Sequence, residues 1–187
     1  MTSWDEEAAA FDEEPDHGLR DPRVRAAWAN LLLPTMPRPA AVVADVGCGT
    51  GSLTALLSAA GHTVHGLDRS AAMLAAAVRK TSAAFVRADA AAPPFRAGSV
   101  DVVLARHVLW ALPDPDSALV RWVRLLRPGG RLVLVEGRWS TGAGIRLAEC
   151  RTLVRRHRDD VTTRRLDDPA LWGRAVEDER YLLVSRR

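Results

Sequence analysis

The stretch VADVGCGTGSL, residues 43–53, sets Gly47, Gly49 and Gly51 two apart at the end of an apolar run, with Asp45 just ahead of them. A strand that turns through glycines into a helix brings backbone N–H groups and a helix N-terminus against a ligand, because the missing side chains allow close approach. The spacing is G-x-G-x-G, whereas dinucleotide sites use G-x-G-x-x-G, and Ser52 stands where the third glycine of that fingerprint would be. Asp45 separates two chemistries: in a partly desolvated cleft its carboxylate repels a pyrophosphate and attracts a ligand carrying an ammonium or a sulfonium. Asp68, 21 residues after Gly47, and Asp89 close the next two β-rich runs. An acid in the first of these places can accept both hydroxyls of a ribose, and carboxylates at successive strand ends face the crevice where open α/β sheets bind ligands.

Among the remaining reactive side chains, His107 follows the fourth β-rich run at the same end and is the best-placed general base, with packing or hydrogen bonding as its alternative role. His62 and His65 have i, i+3 spacing, which in a strand points them to opposite faces and prevents chelation of one metal. His157 lies at an arginine-rich helix end that reads as a solvated face. Cys48 sits beside a helix N-terminus, a setting that can lower a thiol pKa, but the loop also accepts it simply as a small residue. No metal is expected.

The elements that must hold these groups alternate short β-rich runs with helical patterns, the signature of parallel βαβ units. Ser3 can cap a first helix, with Glu6 three residues on and Trp4, Ala8 and Phe11 on one face, broken by EEPDHG. A second helix takes Asp21 as cap and Pro22 at its first position, turns Val24, Trp28, Leu31 and Leu32 inward, and stops at Pro34. AAVVADVG, TVHGLD, AAFVRAD, VDVVLARH and RLVLVEG read as strands one to five. Helices are expected from about Ser52 to Ala60, ending at Gly61, and over RSAAMLAAAVRK, while AAAPPFRAGS is turn-rich. Asp114 starts a helix with Leu119, Trp122, Val123 and Leu126 on one face, which RPGG ends. A less regular helix over 142–158 and two closing strands, DVTTRRL and RYLLVSRR, bring the count to about seven strands.

With 187 residues, 48% of them hydrophobic, the chain suits one well-buried core. The reading is a single domain over 1–187, with a helical segment and lid at 1–36 and an α/β core over 40–187. The net charge of +3 is uneven: residues 1–21 carry eight carboxylates against Arg20 alone. Almost all the positive charge is arginine scattered among acids, with Lys80 the only lysine, so no nucleic-acid partner is expected. Cys48 and Cys150 form no framework, the start is acidic, and no apolar run approaches the ~20 residues of a membrane span. These features predict a cytoplasmic protein without a membrane partner.

In the order and spacing of VADVGCGTGSL, VHGLDRSAAML, VRADAAAPPF, SVDVVLARHVLWALPDP and LLRPGGRLVLVEG, the chain resembles the class I S-adenosylmethionine-dependent methyltransferases, within them the small-molecule type 11 group. The resemblance implies a Rossmann-like, seven-stranded, mostly parallel sheet with a closing antiparallel strand and helices on both faces. It further implies that Asp45 and the backbone of Gly47, Cys48 and Gly49 hold the methionine moiety of S-adenosylmethionine. Asp68 would take the ribose hydroxyls, Arg69 and Met73 would line the adenine pocket, and Asp89 with the Ala90 N–H would meet the adenine edge. Arg106 is a candidate partner for the methionine carboxylate, a surface arginine being the alternative. The product would be S-adenosylhomocysteine and the partner a small-molecule methyl acceptor, walled by the N-terminal helices, Trp110 and the EGRWSTGAG stretch with Trp139. Trp4, Phe11 and His17 are the lid residues. Competing readings are a fold-retaining binding protein without turnover, a nicotinamide-dependent reductase, and an rRNA or protein methyltransferase.

Overall fold

In the computed structural model, which describes residues 4–186, seven strands form one sheet. They are β1 Val42–Val46, β2 Thr63–Asp68, β3 Ala84–Arg87, β4 Val100–Arg106, β5 Leu126–Arg138, β6 Asp160–Arg165 and β7 Glu179–Arg186, in spatial order β3-β2-β1-β4-β5-β7-β6. All neighbours pair in parallel except β7, which runs against both β5 and β6. The helices are α1 Trp4–Glu7, α2 Pro15–Gly18, α3 Pro22–Leu32, α4 Ser52–Ala59, α5 Ala71–Ala77, α6 Pro115–Leu125, α7 Leu147–Arg155 and α8 Pro169–Trp172.

Strands buried on both faces are apolar on both, and apart from Asp45 and Asp101 β1 and β4 read that way: Val43 to Val46 and Val100 to Ala105 are all buried. On one face Val43, Leu104, Val135 and Leu182 pack with Trp28 of α3 and Trp172 of α8. On the other, Ala44, Val103, Leu134 and Leu183 pack with Trp122 and Tyr181. Two indole hydrogen bonds tie α8 down: Trp28 Nε1 donates to the Leu171 carbonyl at 2.7 Å and Trp172 Nε1 to that of Leu166 at 2.9 Å. The second helix forms as its sequence requires. Asp21 accepts from the Arg23 N–H at 2.7 Å, Pro22 occupies the first turn, and Val24, Trp28, Leu31 and Leu32 are its buried residues.

Three expectations are corrected. The N-terminal segment is not one helix: α1 stops at Glu7, a 3-10 turn covers Phe11–Glu13, and PDHG, expected as a break, folds into α2. The physical reason is tertiary, since acids of this segment bind the core. Asp5 accepts from the Ser70 hydroxyl and the Ala72 N–H, and Asp12 accepts from the Thr50 hydroxyl and pairs with Lys80 Nζ at 2.7 Å. The proposed cap Ser3 lies outside the described residues. Second, RPGG belongs to β5. Leu126 pairs with Val100 before the register jumps to Arg131 opposite Val102, so the four residues form a bulge that Gly129, at φ +75°, can turn. Third, Leu126 consequently belongs to β5, and the buried face of α6 is Ala118, Leu119, Trp122 and Leu125.

Candidate functional site

The glycine turn leaves β1 and folds back over the end of β2, where the Gly47 and Cys48 N–H groups both donate to the Leu67 carbonyl, at 2.8 and 2.9 Å. Gly47 is required twice over: its φ is +70°, and a Cβ there would lie 2.4 Å from a Val108 methyl. Asp45 sits below the turn, 2% exposed, with Thr54 Oγ1 of α4 donating to it at 2.5 Å. Burial pushes its carboxyl up to about 6, opposed by the Thr54 hydrogen bond and the Arg106 charge. Asp68 braces the turn from β2: Oδ2 accepts from the Gly49 N–H and Oδ1 from the Ser70 N–H, both at 2.9 Å.

Further along the same sheet edge, Arg69, Arg87, Ala88 and Asp89 line a cleft of about 440 Å³. Asp89 is exposed and caps the Ala91 N–H at 2.8 Å. The neighbouring Ala90 carbonyl accepts from Trp122 Nε1 at 2.7 Å, fixing that backbone to α6. Met73 is buried at the start of α5. Cys48 is a free, partly buried thiol whose pKa rises through burial and the charges of Asp45 and Asp68, which leaves no thiolate nucleophile near neutral pH.

Toward β4 the site becomes cationic and aromatic. Arg106 is no surface arginine: its side chain is 11% exposed, its guanidinium lies 5.0 Å over the Trp28 ring, and Nη1 donates to the Asp16 carbonyl at 2.6 Å. His107 adopts φ +59°, a conformation uncommon for a residue with a side chain. Its ring meets Trp139 edge-on at 5.0 Å and Trp172 at 6.3 Å, and its Nδ1 is buried without a hydrogen-bond partner. Burial, with Arg106, His17 and Arg180 all adding positive charge, holds the imidazole well below its ordinary pKa. Trp110 donates to the His107 carbonyl at 3.0 Å and packs on Trp139 at 5.4 Å, so Trp110, Trp139 and His107 lie together.

The acidic segment lies across this region. The Phe11 ring comes to 3.6 Å of where a Gly49 Cβ would stand, and it stacks on His17 at 4.2 Å. Phe11 therefore reaches the glycine turn with His17 stacked on it, whereas Trp4 keeps 42% of its surface exposed. Lys80 ties the segment to the turn by bonding Asp12, Thr50 and Ser52 together.

Sequence reasoning missed several residues of the site. Thr54 gives a signal, lying nine residues after Asp45 in the first turn of the helix that follows the glycines. Glu136 also gives one, as an acid inside an apolar strand. It is fully buried and its Oε1 accepts from the Val108 and Leu109 N–H groups at 3.0 and 2.7 Å. Burial pushes its carboxyl up to about 8. Asp16 and Arg180 carry no local signal, because only tertiary folding brings them here. Among the described residues no group of three or more His, Cys, Asp or Glu could hold a metal ion, and no helix is long and apolar enough to cross a membrane.

Residues 44–134 match the family described as "Methyltransferase domain". The nocamycin O-methyltransferase of Saccharothrix syringae is 41% identical over 109 residues, covering 52% of this chain and 38% of that protein. The trans-aconitate 2-methyltransferase of Deinococcus radiodurans is 40% identical over 123 residues, covering 63% and 46%. The chain thus spans less than half of either relative. Among solved structures, a complex between the Haloferax volcanii Trm112 methyltransferase activator and the putative methyltransferase superposes with a TM-score of 0.77 at 24% identity, covering 100% of this chain and 98% of that one. That likeness establishes the fold.

Proposed function

The chain belongs to the class I methyltransferases of the type 11 group, and from that premise we propose that it moves a methyl group from S-adenosylmethionine to O, N or C of a small organic acceptor. The observation that carries this reading is Asp45, a carboxylate 2% exposed directly beneath a glycine turn. A dinucleotide pyrophosphate at that turn would face a buried like charge, whereas an ammonium would neutralise it.

The residues present fit such a cofactor. Asp45 would answer the ammonium of the methionine moiety, with the backbone of Gly47, Cys48 and Gly49 against it, and Arg106 would meet its carboxylate. Asp68 spends one lone pair of each oxygen on the Gly49 and Ser70 N–H groups and keeps others for two ribose hydroxyls. Asp89, Arg69 and the Ala90 N–H would hold the adenine end at the 440 Å³ cleft, with Met73 supporting it from α5. When bound, the cofactor supplies an electrophilic methyl on sulfur, displaced in line. The protein's own contribution is positioning: a pose with reacting atoms about 3–3.5 Å apart removes much of the entropic barrier. His107, neutral near pH 7 with Nδ1 free of partners, can orient an acceptor hydroxyl or take its proton. Phe11 and His17, on the segment clamped by Asp12 and Lys80, would exclude water above the turn. The segment and the single core make one functional unit, with residues 1–36 acting as lid over 40–187, in a cytoplasmic setting.

Calorimetric titration with S-adenosylmethionine, S-adenosylhomocysteine and NADH tests the reading. The first two are expected to bind and NADH to give no heat. NADH binding without a response to S-adenosylmethionine would instead establish the reductase. Incubation with a panel of acids, alcohols and amines, read by mass spectrometry for one added methyl, separates an enzyme from a binding protein of the same fold.

A further inference from the structure

Among the described residues, Arg180 is the buried cation at this end of the sheet that the cofactor assignment leaves unused. It lies on β7 opposite Gly137 of β5. Residues two apart on a strand share a face, so Arg180 joins the face of Leu182, and Arg106 that of Leu104, both of which pack in the same core as Trp28 and Trp172. Gly137 pairs with Arg180, two residues beyond Val135, which pairs with Arg106; a Cβ at Gly137 would lie 2.6 Å from the Glu179 carbonyl oxygen and 3.4 Å from Arg180 Cγ, so its missing side chain lets this end of β7 lie against β5. The guanidinium stacks 4.1 Å over the Trp172 ring. Stacking covers its faces and leaves its edges to hydrogen-bond in plane.

Those edges are incompletely used. Nη2 has Asp178 at 3.5 Å, a long contact, while Nε is buried with no partner, in a side chain 9% exposed. A buried guanidinium donor without a partner is uncommon enough to require an explanation. His107 Nδ1 is likewise buried and unpartnered, its ring packed on Trp172. The acids paired with these arginines are Asp16, 4.0 Å from Arg106, and Asp178, 3.5 Å from Arg180. Neither supplies the in-plane, bidentate partner that an arginine edge prefers.

Resting on the methyltransferase reading, we propose that the acceptor is a small carboxylic acid whose carboxylate is held by Arg180, beneath the indoles of Trp172 and Trp139 and beside His107. Trp139, half-buried against His107 and Trp110, offers a flat face that suits an unsaturated or aromatic body, and the cation suits its anionic end. A neutral acceptor would leave Nε without a partner. Asp178 would yield Nη2 to the incoming carboxylate and keep its short contact with the Ser140 N–H at 2.6 Å.

The test is binding to protein saturated with S-adenosylhomocysteine, read by saturation-transfer NMR with cinnamate, itaconate and trans-aconitate, each against its carboxamide. The acids are expected to bind at least about tenfold tighter than their amides, a ratio typical of a charge-assisted pair. Arg180→Gln is expected to erase that preference and Arg180→Lys to restore part of it, with S-adenosylhomocysteine titration and thermal melting confirming that each variant is folded. Should Arg180→Gln not fold, the Lys variant and the wild-type ratio decide alone. Equal binding of acids and amides, or a preference that survives Arg180→Gln, overturns the carboxylate subsite. Failure of wild-type protein to bind S-adenosylhomocysteine overturns the functional premise instead.

Discussion

Replacing Asp45 by asparagine should change how stability depends on pH, by an amount the structure sets. In the unfolded chain this carboxyl ionises near its ordinary value of 3.8; in the fold, burial pushes it up to about 6. Between those values the native state holds the proton more tightly, so the wild type loses stability as pH rises through this window, and the loss is complete above it. At about 1.4 kcal/mol for each tenfold change in proton affinity, the loss is about 3 kcal/mol. The introduced side-chain amide carries no titrating proton, and whatever it costs beside Thr54 is the same at every pH. The difference in unfolding free energy, variant minus wild type, should therefore grow in the variant's favour by about 2.4 kcal/mol from about pH 4, where the unfolded carboxyl is already more than half ionised, to pH 7.5. Urea unfolding of both proteins at each pH measures it. Saturating S-adenosylhomocysteine should flatten the wild-type dependence, because an ammonium beside Asp45 favours its charged form. A difference that stays constant with pH, or that grows against the variant, would refute the claim that this carboxylate is held in the fold at a cost that its ligand relieves.

Three further outcomes are expected. Asp68→Ala should cost about 2–4 kcal/mol of S-adenosylhomocysteine affinity, since two ribose hydroxyls lose a charged acceptor, and a full-affinity variant by calorimetry would remove the assignment. Deleting residues 1–18 strips Phe11, Asp12 and Asp16 from the turn and from Arg106; cofactor affinity should fall, and unchanged binding and turnover would end the lid proposal. Glu136 takes its proton near 4.5 when unfolded and is pushed up to about 8 when folded, so wild-type stability should fall relative to Glu136→Gln as pH rises across that range. Parallel melts at about pH 5 and pH 8.5 that keep a fixed spacing would contradict this sign.

The strand-end acids were legible because their neighbours are. Val43, Ala44 and Val46 can only be buried, so Asp45 among them had to be a buried acid, and the glycines beyond it had to turn. The β-rich pattern also put Asp68 at the end of β2, but it ran the third strand on to Asp89, whereas β3 stops at Arg87 and its mostly exposed residues give no burial signal for where it ends. Where burial is set by distant chain, the reading failed. Trp4, Ala8 and Phe11 have helical spacing, yet Asp5 and Asp12 find stronger partners on Ser70 and Lys80 than a continuous helix would supply, and the backbone follows them. RPGG looks like a helix stop; only the register between β4 and β5 shows that it begins a strand. Arg180 reads locally as one more charge near a basic C-terminus. Its importance comes from Gly137 on one neighbour and Trp172 beneath it, and no window of sequence holds all three.

Lys80 is the chain's only lysine, and its ammonium is committed to Asp12, Thr50 and Ser52 at the point where the acidic segment meets the glycine turn. Burial lowers its pKa while Asp12 opposes the change. An acylating reagent attacks free amines, so each labelled ε-amine records one departure of the segment from the turn. A lysine-containing reference peptide added to the same reaction serves as the clock for reagent strength. Mass spectrometry of a timed acylation thus turns a single side chain into a counter of how often the entrance to the cofactor cleft opens, with no fluorophore, engineered cysteine or knowledge of the acceptor required.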